Sequence, residues 1–133
     1  MAFPVVEGTA TTGDASTASP TAVNYPATVS AGALIIAVAR CGGISAIGWP
    51  AGFTELIESN EDSSNDTTAI AYATAAGNEG GTTFNVTHVS VKSVYIVYSI
   101  TGAEVPATQA PQLSATAIGT STLPDPASLT PTG

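Results

Sequence analysis

Ala33-Leu34-Ile35-Ile36-Ala37-Val38-Ala39 carries no polar side chain at any position, and Gly42-Gly43 follows two residues later. A run that short, apolar on both alternating sets and bounded by glycine, reads as a strand covered on both faces. A second stretch repeats the pattern. Over residues 91–100, period-two geometry sets Val94, Ile96, Tyr98 and Ile100 on one side and Tyr95 and Val97 on the other.

Working outward, the same reading predicts short strands at 53–59, 67–74 and 82–88. In residues 67–74, Thr68, Ile70 and Tyr72 share one face and alanines fill the other, which lets an opposing layer come close. Gly77-Asn78-Glu79-Gly80-Gly81 is a strong turn. Residues 3–6 and 21–25 read as strands, 8–20 as a polar strand or ordered arm, and 113–118 as a last strand between prolines. Roughly eight strands and no long helix predict an all-β fold, an antiparallel two-sheet β-sandwich of jelly-roll or Ig-like topology. Extended N- and C-terminal arms are expected to flank it. The expected division is a strand and arm over 1–20, the sandwich over 21–119 and a Pro-rich arm over 120–133.

Composition narrows the function. The chain has 133 residues, 44% hydrophobic and only 9% charged, against roughly 25% charged in ordinary globular domains. Net charge is −8, and Arg40 and Lys92 are the only basic side chains. Binding to nucleic acid needs cations to displace counterions from phosphates, and an anionic membrane needs them too. Neither is an expected partner. The N-terminus lacks the basic start and long apolar run of a cleaved signal peptide, so secretion by that route is not expected. Cys41 stands alone and reads as a small buried apolar residue at a strand end.

Catalytic chemistry finds little to work with, and no enzyme is expected. His88 is the one histidine, sits in an alternating strand, and has no Gly-x-Ser-x-Gly elbow to serve. Glu58, Glu61, Asp62 and Asp66 could gather on a Ca²⁺, but the spacing is generic and a solvated acidic loop is the simpler reading. One Cys and one His cannot make a zinc site. Gly80-Gly81 lacks the Lys-Ser/Thr of a phosphate loop. No cofactor, metal or catalytic residue is therefore expected. The sequons Asn65-Asp66-Thr67 and Asn85-Val86-Thr87 matter only in eukaryotic secretion. Tyr95 and Tyr98 fall on opposite faces of one strand and cannot form one sugar platform; Trp49 and Tyr72 read as core or edge residues.

One local signature stands out. In Trp49-Pro50-Ala51-Gly52-Phe53-Thr54-Glu55-Leu56, Pro50 fixes the backbone, Gly52 permits a positive φ, and Trp49 and Phe53 can pack around the corner. Ala71-Tyr72-Ala73, the Gly77-Asn78-Glu79-Gly80 turn and Tyr95-Ile96-Val97-Tyr98-Ser99-Ile100-Thr101-Gly102-Ala103 follow. This combination resembles a family of β-sandwich proteins of tailed bacteriophages, whose members are virion surface components: capsid decoration (cement) proteins, head fibres and tail-associated binding domains. The resemblance spans residues 33–103, and Leu123-Pro124-Asp125-Pro126 also matches. It implies no catalytic residues.

The resemblance implies a capsid decoration protein on the outer face of the virion shell, bracing neighbouring capsomers. Its partners would be the major capsid protein and neighbouring copies of itself, possible homo-oligomer contacts included. The acidic charge suits a face turned away from packaged DNA. The arms, residues 2–20 and 106–133, are the expected contacts. The alternative is a tail-fibre or head-fibre adhesin module that binds a bacterial surface glycan. A third reading is a bacterial extracellular binding domain with no phage link.

Overall fold

The computed structural model describes residues 3–14, 18–61 and 65–113. These form seven strands and no helix: β1 Val5–Asp14, β2 Thr21–Asn24, β3 Leu34–Gly42, β4 Thr54–Glu61, β5 Asp66–Thr74, β6 Thr83–Val86 and β7 Ser93–Thr101. All pairings are antiparallel. One sheet has five strands in the order β1-β7-β3-β5-β4, and the other pairs β2 with β6. An isolated bridge from Gly48 to Thr87 extends the smaller layer. The result is an open, sandwich-like arrangement of two antiparallel sheets.

The run that opens the sequence reading is the centre of the large sheet. β3 pairs with β5 on one side and β7 on the other, so Ala37 lies between Ala71 and Val97. Because side chains alternate, Ile35, Ala37, Ala39 and Cys41 point one way and are at most 1% exposed. Ala69, Ala71 and Ala73 of β5 and Tyr95 and Val97 of β7 point the same way and are buried too. Against them pack Val23 of β2, Phe84 and Val86 of β6, and the loop residues Val29 and Ile47. The alanines on β5 leave room for that second layer, as their spacing predicts.

The Trp49 corner forms as expected. Gly52 takes φ 96°, the Phe53 N–H donates to the Pro50 carbonyl at 3.2 Å, and the Trp49 and Phe53 rings stack with centroids 5.9 Å apart. Phe53 stacks on Phe84 at 4.9 Å, and Phe84 meets Tyr25 at 4.7 Å. Four rings thus run in a line along the smaller layer and close one side of the core.

Several expectations change. Residues 3–6 and 8–20 do not divide into a short strand and an arm, because β1 runs unbroken from Val5 to Asp14 and pairs with β7 along its length. A bulge between Val6 and Gly8 absorbs Glu7 and lets both halves stay in register. In β4, the strand expected at 53–59, a second bulge between Glu55 and Ile57 interrupts the period-two alternation. It turns Glu55 and Glu58 towards the side of Ala71 and Ala69, and Ile57 towards Ile70. Inward-leaning acids on an edge strand discourage pairing with another chain. Of the strand expected at 113–118, only Leu113 is described and it lies outside any strand; the rest, with the C-terminal arm from 120, lies outside the described residues. The largest change concerns β3: among the described residues, only one of its two faces is covered.

Candidate functional site

Among the described residues, none covers the other face of the five-stranded sheet. Register sets its side chains in four rows. Val6, Ile100, Leu34 and Thr74 make the first; Thr9, Tyr98, Ile36, Tyr72 and Thr54 the second. Thr11, Ile96, Val38, Ile70 and Ile57 make the third; Gly13, Val94, Arg40, Thr68 and Ser59 the fourth. The middle is aliphatic with two tyrosines, and threonine or serine hydroxyls stand along the margins. None of these side chains is buried, in contrast to the inner face of β3, β5 and β7. Val94 is 42% exposed and Val6 54%.

Charge is almost missing from this face. No carboxylate belongs to the four rows, and Arg40 is met by Asp66 at 2.5 Å. Arg40 and Lys92, the only basic residues, line one shallow hollow beside Asp66 and Val94 at the end of the face. At the start of β1, Phe3 and Val5 are 88% and 59% exposed, Val5 opposite Thr101 and on the other side of the sheet from Val6.

Of the acids considered for a Ca²⁺ site, Glu58 and Asp66 are engaged elsewhere, as is Glu55. Glu58 accepts the Ile47 N–H at 2.7 Å, and Glu55 accepts the Trp49 indole N–H at 3.0 Å. Asp66 holds Arg40, Asp62 lies outside the described residues, and no cluster of metal-ligating side chains occurs among those described. Glu7, in the β1 bulge, accepts the Ser30 N–H and the Ser30 and Ser99 hydroxyls, each at 2.7 Å. These bonds, the Ser30 backbone first, lower its pKa. Glu79 caps the turn ahead of β6. Partial burial raises its pKa, but the N–H groups of Ala76, Gly77 and Asn78 outweigh that and lower it.

His88 is buried at the far end of the core. Its Nε2 meets the Thr21 hydroxyl at 2.8 Å and its Nδ1 meets the Val89 carbonyl at 2.5 Å. Asp14 lies on Thr21 at 3.0 Å and not on the ring. A nucleophile–base–acid relay needs the acid on the second ring nitrogen; here that nitrogen faces a main-chain oxygen. The order Asp14–Thr21–His88 ties β1, β2 and the end of β6 together. Beside it, Tyr95 is 1% exposed, and burial pushes its phenol up to about 12. Burial also pushes the Cys41 thiol up, and its side chain is closed off from solvent.

The sequence reading singled out His88 but missed Glu7, Asp14 and Thr21, whose partners are far along the chain. It placed Tyr95 and Tyr98 on opposite faces, as observed. It took Tyr72 for a core or edge residue, whereas Tyr72 shares the open face with Tyr98, one on each side of Ile36. Of the expected contact arms, residues 5–14 are built into the sheet and 114–133 lie outside the described residues. No family model matches the chain, and neither a curated protein nor a solved structure is detectably similar to it.

Proposed function

We propose that this chain is a structural protein of a phage virion, a capsid decoration protein that works by surface contact on the outer shell and braces neighbouring capsomers. The observation that carries this reading is the four-row face, aliphatic and tyrosine at its middle with hydroxyls at its margins and its one charge, Arg40, paired with Asp66, a surface suited to being covered by protein. The sequence resemblance to phage decoration and fibre proteins supplies the setting, and the acidic charge suits a surface kept away from packaged DNA.

The strand order supports the finer topology. The chain passes from β1 in the large sheet to β2 in the small one, back to β3, out to the Gly48 bridge, back to β4 and β5, out to β6, and returns in β7. We read this repeated crossing as a jelly roll in preference to an Ig-like fold; jelly rolls recur in viral capsid and lectin domains. Fold alone does not set function.

The test is to mix the chain with undecorated capsids of the phage that encodes it. Saturable binding with a higher shell melting temperature supports the reading. No binding refutes it. A second reading, the fibre module for a bacterial surface glycan, is favoured by one observation: Tyr72 and Tyr98 share a face and could stack on sugar rings. Specific capture on a glycan array, lost in Tyr98→Ala, would establish that alternative.

A further inference from the structure

We infer that the open face of the five-stranded sheet is the contact between two copies of this chain, stacked face to face about a two-fold axis. Five strands about 4.8 Å apart and four rows about 6.7 Å apart give a face of roughly 650 Å². Eleven of the nineteen positions in the four rows are aliphatic or tyrosine, so the apolar part is about 380 Å², the size of the largest patch on an ordinary monomer, which is often a functional one. Two such faces together cover about 1,300 Å², within the range of specific stable interfaces.

Self-complementarity argues for a second copy over a different protein. A two-fold contact sets the same patch against itself, so apolar rows meet apolar rows and hydroxyl margins meet hydroxyl margins. Each copy carries a net charge of −8, and two such molecules can touch closely only where acids are absent. The four rows contain none. Packed sheets lie about 10 Å apart with interlocking side chains. The Tyr98-Ile36-Tyr72 row offers two large amphipathic rings at the centre, the residue type that dominates contact energies.

The inference rests on the same open face as the virion reading and names a second copy as the protein that covers it, so a paired chain would meet the shell through another surface. Free chain that fails to pair would leave shell binding open, and failure to bind shells would leave pairing intact.

The experiment is sedimentation of the full chain across a concentration series. It compares the unaltered protein with Ile36→Lys at the centre of the face and Thr83→Lys on β6, each checked for a retained β-sheet circular dichroism spectrum. The unaltered protein and Thr83→Lys should pair at micromolar concentration. Ile36→Lys should weaken pairing by about 30-fold or more, as expected for a central contact residue. Should Ile36→Lys fail to fold, Val38→Thr, which keeps the side-chain shape, should weaken pairing more modestly. Raising salt should strengthen pairing, because it screens the repulsion between acidic copies. A monomer at all concentrations overturns the inference. So does pairing that survives both face substitutions, which would give the contact to the edge strand β1.

Discussion

Ile35 and Ile36 are the same side chain, one residue apart on the same central strand, and replacing each by alanine should have unequal effects. Ile35 is 1% exposed among the alanines of β5 and the second layer. Trimming it removes three carbons, worth about 0.8 kcal/mol each in lost burial, and leaves a cavity that close-packed neighbours fill only in part. The total should be about 3–4 kcal/mol. Ile36 faces outward between Tyr72 and Tyr98, with no layer above it among the described residues, so its loss should be about 1 kcal/mol. Loss of β-branching affects both sites alike and cancels in the comparison. Urea unfolding at high dilution, where copies stay apart, reads the difference through the fluorescence of Trp49, the only tryptophan. With a slope of about 2 kcal/mol per molar, a gap of about 2 kcal/mol separates the two midpoints by about 1 M. Midpoints within about 0.2 M of each other would mean that both faces of β3 are covered alike, and the assignment of an open face would fall.

Other outcomes follow from the polar contacts. Glu7 and Glu79 have folded pKa values below the ordinary 4.5, so the unfolded chain binds more protons in that range. Their contribution is present above about pH 4.5 and fades as acid reaches the lower folded values; acid titration of Glu7→Gln and Glu79→Gln should show a shallower loss of stability below pH 4.5 than the parent. Thr21→Val should cost about 1–3 kcal/mol in a thermal melt, because the buried His88 ring loses the hydroxyl that its Nε2 meets. Gly77 has φ +93° with Ala31 backbone atoms 2.9 Å from where a Cβ would stand; Gly77→Ala should cost more than about 1 kcal/mol in the same melt.

The central strands were legible because period-two alternation is a local property. In β3, β5 and β7 it assigned Ala71 and Tyr72, and Tyr95 and Tyr98, to opposite sides correctly. Bulges defeated the same reasoning in the edge strands. One extra residue at Glu7 fused two expected segments into β1, and the shift at Leu56 moved Glu58 to the inner side. Neither bulge has a local sequence signal strong enough to find it. The open face was hidden for a different reason: an outward row of Leu34, Ile36 and Val38 reads the same whether the chain's own layer or another molecule covers it. The Asp14–Thr21–His88 contact was beyond reach, since His88 stands 67 residues from Thr21 and only the folded pairing of β2 with β6 brings them together.

Tyrosine nitration mapped by mass spectrometry, run from high dilution to high concentration, tests the open adhesive face most directly. Tyr72 and Tyr98 should react when the chain is dilute and become protected as copies associate, while Tyr95 stays unreactive throughout. Tyr72 and Tyr98 that resist nitration even at high dilution, or react equally at every concentration, would contradict the account.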